Sequence, residues 1–370
     1  YSQLEGPVSG SITIIGEIGV SAILILITVN LGLTLRLAQV NKSWRIKGLQ
    51  SIIVGFIFCV SGLVLNSINW TEPSSEMKRV SMVQGNIEQT IRWVPEQDSP
   101  TMQKYLDLSS EHWNADLIIW PEAAIPKLEI AATAFLGFVD DKAAATNTAL
   151  ITGIVDVNYN TEKIYNNLIS LGNDELSQNT IPYAYGHKNR FAKHHLLPIG
   201  EFVPFESILR TLAPIFDLPM SSFTRGSYVQ ANLLANGIKL APAICFEIAF
   251  PNQIRANLND DTDAIITVSN DAWFGNSHGP HQHLEIAQMR AKEFGLPVLR
   301  STNTGVTAFV DHKGMISAIA PQFEDTVLTH DVLLVSGKTP YREFGNFPAY
   351  AFFLILFGVG ALLQRKIKIV

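Results

Sequence analysis

Three apolar runs bracket the chain. Ile12 to Leu35 is apolar apart from Glu17 near its start and Asn30 late in it, Gly48 to Ile68 carries no charge, and Phe347 to Leu363 lies near the end. A bilayer core takes about 20 apolar residues of helix, so the first two runs are long enough to span it and the third is at the short end of the range. Arg36, Lys42, Arg45 and Lys47 follow the first run, and Arg365, Lys366 and Lys368 follow the third. Loops rich in Lys and Arg stay in the cytoplasm, so the second run leaves it and the third returns. The expected organisation is a transmembrane region over 1–69 (helices about 12–35 and 48–68), an extracytoplasmic domain over 70–346, and a helix with a basic cytoplasmic tail over 347–370. The alternative is a soluble protein with three buried core helices.

Between the runs the pattern alternates. Lys78–Gln84, Leu117–Trp120, Ala149–Val155, Tyr165–Leu171, Ala241–Cys245, Ala264–Ser269, Val298–Ser301 and Thr307–Val310 read as strands. Pro100–Asn114, Ile130–Ala144 and Gln282–Phe294 read as helices. Strands interleaved with helices indicate a layered α/β fold, without distinguishing a doubly wound sheet from a sandwich. The stretch from Phe202 to Tyr228 is very apolar and broken by prolines. It reads either as a loop folded onto the core or as a lid that touches lipid.

Composition supports a membrane protein: only 16% of the 370 residues are charged, against roughly 25% in soluble domains. A net charge of -6 argues against nucleic-acid binding. The chain begins at Tyr1, and a further N-terminal piece is expected to precede it. Two cysteines make no disulfide framework and leave the compartment open. Cys59, inside the second apolar run, reads as packing or lipid-facing.

Cys245 ends a strand-like run, with Glu247 two residues on; Leu117–Trp120 leads into Pro121 and Glu122; the loop Lys193–Glu201 offers a lysine. A thiol nucleophile needs a base for its proton and a cation for the developing negative charge. Taken singly, these are an inert buried thiol, a surface carboxylate and a solvated lysine, and spacing alone cannot unite them. His278, His281 and His283 suggest zinc, but the pattern lacks a third partner across a turn or helical face, and they read as structural or solvated.

Trp120-Pro121-Glu122, the Lys193 loop through Gly200-Glu201-Phe202-Val203-Pro204, and Ile244-Cys245-Phe246-Glu247 resemble the three signature blocks of the nitrilase superfamily. Asn270–Gly275 and Arg300–Gly305 are similar to its apolipoprotein N-acyltransferase branch, and the likeness runs over nearly the whole chain. Phe246 stands where that branch commonly has Tyr, and Ala192 where Asn or similar commonly precedes the lysine.

The resemblance implies an α/β nitrilase-like four-layer α-β-β-α sandwich inserted between transmembrane helices. It implies a Glu122-Lys193-Cys245 triad, with Glu201 and Glu247 supporting it. Trp273, Asn270, Phe216 and Leu218 are candidates for the pocket or lid, with Asn303 near them. It further implies a phospholipid acyl donor, a diacylglyceryl-modified apolipoprotein acceptor, no cofactor or metal, and a multi-pass place in the bacterial inner membrane with the catalytic domain facing the periplasm. The rival readings are a membrane-anchored amidase or nitrilase acting on a small substrate and an inactive scaffold that binds lipid or lipoprotein.

Overall fold

The computed structural model describes residues 1, 3–40, 44–91, 94–174, 182–204 and 223–367. In chain order its elements begin with α1 (Ile12–Val40), α2 (Trp44–Asn66), β1 (Thr71–Gln84), α3 (Pro95–Leu108), β2 (Leu117–Ile119) and α4 (Glu129–Ala145). They continue with β3 (Ala149–Asn158), β4 (Lys163–Gly172), β5 (Arg190–Ala192), β6 (Leu233–Ala235), β7 (Ile238–Ile244) and α5 (Pro251–Asn257). The last are β8 (Ala264–Ser269), α6 (Gly279–Phe294), β9 (Val298–Thr302), β10 (Ala308–Val310), β11 (Ile316–Ile319), β12 (Thr326–Gly337), α7 (Pro340–Phe344) and α8 (Phe347–Ile367). The chain divides into two compact units: residues 1–72, 292–295 and 336–370 form one, and 73–291 with 296–335 form the other.

The first unit is helical. Among the described residues Ser9–Arg36 is the one stretch long and apolar enough to cross a membrane, and Ile52–Asn66 and Phe347–Gly358 are shorter apolar helices. Their outward faces carry large apolar side chains, among them Ile25, Leu33, Phe56, Ile57, Leu354 and Phe357. Exposed apolar surface on this scale marks a contact with something other than water. Near its start α1 is broken at Gly16 (φ 63°, ψ -173°), and the Glu17 N–H released by the break donates to the buried Glu293 carboxylate at 2.8 Å. A Cβ at Gly16 would lie 2.3 Å from the Tyr341 ring, so the bend and its packing both require glycine.

The second unit holds two six-stranded mixed sheets, ordered β12-β1-β2-β3-β4-β5 and β11-β10-β9-β8-β7-β6. Each has a parallel centre, β1/β2/β3 in one and β7/β8/β9 in the other, with antiparallel strands beside it. Side chains alternate across each strand. In β2, Leu117 and Ile119 join Met82, Ile151, Leu240, Ile244, Ile266 and Leu299 in a core built from both sheets. Ile118 points the other way, into a cluster with Tyr105 of α3 and Leu136 and Val139 of α4. Strands buried on both faces read as continuous apolar runs rather than alternating ones, as these do.

Several boundaries move. α3 begins at Pro95 rather than Pro100, because a proline at the first helical position loses no hydrogen bond and Glu96 and Asp98 suit the positive end of the helix. It stops at Ser109, whose hydroxyl donates to the Tyr105 carbonyl (2.7 Å) and accepts from Trp120 Nε1–H (3.0 Å). β7 ends at Ile244, one residue before the cysteine, since Cys245 leaves the extended region with φ 54°.

The parallel strands converge with their carboxyl ends on one region. Glu122 follows β2, Cys245 follows β7, Asn270 follows β8 and Asn303 follows β9. Gly153 of β3 lets the chain at Glu122 come close: a Cβ there would lie 2.4 Å from the Ala123 nitrogen and 2.8 Å from the Glu122 Cα. Gly153→Ala should therefore displace Glu122, lower stability by about 1–3 kcal/mol and reduce activity by more than that loss of folded protein explains. Thermal melts beside specific activity per folded molecule check it, and an unchanged specific activity would show that Glu122 tolerates the displacement.

Candidate active site

Glu122, Lys193 and Glu201 form a buried ionic cluster. The Lys193 ammonium lies 2.8 Å from Glu201 Oε1 and 3.3 Å from Glu122 Oε1, and its residue is 2% exposed. Asn166 of β4 bridges the two carboxylates, its Nδ2 donating to Glu122 Oε1 (2.9 Å) and Glu201 Oε1 (3.0 Å). The backbone N–H of Asn270 donates to Glu122 Oε2 (3.1 Å), and that of Leu197 to Glu201 Oε2 (2.8 Å). Lys193 directly follows β5, and its own N–H donates to the Asn166 carbonyl (2.8 Å). Burial opposes the ammonium charge, but Glu122, Cys245 and Glu201 together outweigh it and hold the lysine well above its ordinary value.

Cys245 opens a 3-10 turn, Cys245–Ala249, in a left-handed conformation that non-glycine residues rarely adopt. Burial, then the charge of Glu122, push its thiol up to about 12, with Lys193 pulling the other way. The shift favours the protonated thiol, and a thiol in that form can attack only as a neighbouring base removes its proton.

Glu247 ties the lysine segment to the cysteine strand. Its Oε1 accepts from the backbone N–H of His194 (2.7 Å) and His195 (3.1 Å) and from Gln253 Nε2 (3.0 Å). Its Oε2 accepts from the Ile244 N–H (2.9 Å). Full burial raises this carboxyl above the ordinary glutamate value, and these donors oppose the rise.

The other sequence candidates divide. Asn270 and Asn303 are buried and bonded to each other (2.8 Å). Asn303 also accepts from the Ile87 N–H and donates to the Ile87 carbonyl, both at 2.8 Å, stapling that loop to the second sheet. Trp273 stands out from its 3-10 turn, 78% exposed. Phe216 and Leu218, and most of the expected lid, lie outside the described residues. His278 and His281 are exposed, whereas His283 is buried.

The carbon-nitrogen hydrolase family model matches residues 79–338. Apolipoprotein N-acyltransferases of Shewanella oneidensis and Vibrio parahaemolyticus are 48% and 45% identical over 99% of this chain, which spans 69% and 70% of their lengths. The chain belongs to the apolipoprotein N-acyltransferase family. The Haemophilus influenzae member is 41% identical over the whole chain and 70% of its own length. Solved structures share the fold, one of them described as a nitrilase-superfamily member. Caenorhabditis elegans NitFhit gives a TM-score of 0.53 at 13% identity, covering 75% of this chain and 65% of its own. Saccharomyces cerevisiae Nit3 gives 0.50 at 16%, covering 71% and 93%.

For an apolipoprotein N-acyltransferase family member, sequence reasoning overlooked four buried polar residues at this site: Asn166, Asp271, His283 and Arg300. Asp271 and Arg300 were inside the matched blocks, so the signal was present and unread. His283 was hidden by its neighbours His278 and His281, which made it look like part of a solvated cluster.

The raised thiol is directly measurable. Modification of Cys245 by iodoacetamide, followed on its own peptide, should keep accelerating between about pH 9 and 11, past the ordinary thiol range near 8.5. Glu122→Gln removes the second cause of the shift and should move the profile to lower pH. A wild-type plateau near pH 8.5 would contradict the burial argument.

Proposed function

We propose that this protein transfers a fatty acyl chain from a phospholipid, through a Cys245 thioester, to the N-terminal amine of diacylglyceryl-cysteine lipoproteins. The observation that carries the reading is a protonated, half-buried thiol held within the field of a preassembled Glu122–Lys193 pair, in a chain of this family. Glu122 takes the thiol proton as sulfur attacks the ester carbonyl. Lys193 stabilises the oxyanion, since a fixed cation in a water-poor site costs no reorganisation when the charge appears. The C–O bond breaks, the lysophospholipid alcohol leaves with the proton from Glu122, and the acyl group stays on sulfur. The acceptor amine then attacks the thioester, Glu122 takes its proton, the amide forms and the thiol returns. Two substrates served in turn by one nucleophile give ping-pong kinetics.

Glu201 and Asn166 hold the lysine and the base in place, and Glu247 keeps the two halves of the site together. Trp273, Asn270, Phe216 and Leu218 remain our candidates for the substrate pocket or lid. Both substrates are lipids, which suits the outward apolar faces of α1, α2 and α8. We read residues about 70–346 as a nitrilase-like four-layer α-β-β-α sandwich on the periplasmic side of the inner membrane. The helices of 1–69 and 347–370, before and after it along the chain, cross that membrane, oriented by the basic residues at 36–47 and 365–368. An amidase acting on a small soluble substrate would have no use for such faces.

The test is mass spectrometry after incubation with phospholipid alone. The Cys245 peptide should gain a fatty-acyl mass that hydroxylamine or a lipopeptide with a free amine removes, and Cys245→Ala should gain none. No adduct, with ammonia released from small amides instead, would make the protein a hydrolase.

A further inference from the structure

Cys245 sits in an unfavourable backbone conformation, so something has to hold it there. Three buried residues from separate segments converge behind it. His283, early in α6, places Nε2 3.0 Å from the Cys245 carbonyl oxygen and Nδ1 3.0 Å from Asp271 Oδ1. Asp271 is gripped on its other oxygen by Arg300 Nη2 at 2.5 Å, and Arg300 is fixed by its Nε–H to the Val306 carbonyl (3.1 Å). The Ser269 hydroxyl donates to Asp271 Oδ1 (2.5 Å). His283, Asp271 and Arg300 are all nine-tenths buried or more.

We propose that His283 is a positioning residue for the nucleophile: anchored by Asp271 and Arg300, its ring donates to the Cys245 carbonyl and fixes the left-handed turn that aims the thiol. This rests on the reading of Cys245 as the nucleophile.

The ring faces an oxygen on each side. A carbonyl accepts only, and Arg300 keeps Asp271 in its ionised, accepting form: burial alone would raise that carboxyl, but the guanidinium overrides it and holds it well below the usual range. The nitrogen that faces the carbonyl, Nε2, therefore has to carry a proton and donate it. The groups around the ring are the Asp271 carboxylate, the Cys245 carbonyl and the Phe274 ring, with centroids 6.4 Å apart. Arg300 acts on it through Asp271.

Two substitutions separate positioning from mere packing. The amide nitrogen of Gln reaches about as far as Nε2 and that of Asn about as far as Nδ1. His283→Gln therefore keeps a donor for the Cys245 carbonyl, whereas His283→Asn keeps only the contact with Asp271. Single-turnover thioester formation on the full chain with phospholipid should be nearly unchanged in His283→Gln and about 10–100-fold slower in His283→Asn, with phospholipid KM unchanged in both. Equal rates in the two variants, fast or slow, would overturn the proposal. Nitrogen-15 NMR of histidine-labelled wild-type protein gives a check independent of how the variants fold: Nε2 of His283 should carry a proton, and an unprotonated Nε2 would overturn the proposal. Wild-type protein that forms no thioester would instead sink the reading of Cys245 as nucleophile, and this inference with it.

Discussion

The site depends on burying one ammonium group. Left alone in the interior, the Lys193 charge would cost several kcal/mol. Glu122 and Glu201 offset that cost at 3.3 and 2.8 Å, and Asn166 keeps the two carboxylates on the same side. The arrangement is brittle in a specific way: removing one partner of a buried pair typically costs about 3–5 kcal/mol, because the other charge stays behind. Glu122 follows β2, Asn166 lies in β4 and Lys193 follows β5, so most of the first sheet must be in register before the cluster can form. The chemistry is thus a property of the finished sheet and not of any local segment.

The same cluster sets the state of the thiol. A cysteine beside a lone lysine would lean towards thiolate. Here burial and Glu122 outweigh Lys193, and the thiol stays protonated. In the transfer we propose, the nucleophile exists only while Glu122 takes its proton, Lys193 stays in place for the oxyanion of each half-reaction, and the acyl acceptor arrives after the donor has left.

How much of this was legible depended on range. The core strands β2, β3, β7 and β8 announced themselves because both faces are buried and their apolar runs are unbroken. β5 and β6, three residues each, carry little pattern of their own and exist because a neighbouring strand supplies the hydrogen bonds. β11 and β12 went unread because exposed and half-buried positions dominate them. The break in α1 at Gly16 looked like an ordinary glycine within an apolar run. Its cause is Glu293, 276 residues away along the chain from Glu17. Glu122, Lys193 and Cys245 could be picked out through family blocks, whereas Asn166 stands in no block and shows itself only when β4 is laid beside β5.

His283 shows why residue type and spacing mislead where partners are distant. Three histidines in six residues suggested metal or solvent, yet His278 just before α6 and His281 within it face outward, while His283 turns towards a backbone carbonyl 38 positions away. The need it meets arises from Cys245 itself. A glycine at 245 would adopt φ 54° freely but carry no thiol, while a cysteine held there costs about 1–3 kcal/mol of strain. The fold meets that cost from both sides of the turn. Glu247 reaches back to the Ile244 N–H, and His283 takes the Cys245 carbonyl from the helix behind. The conformation that places Cys245 just beyond the end of β7 is therefore over-determined by its surroundings, which is what allows a strained residue to persist there.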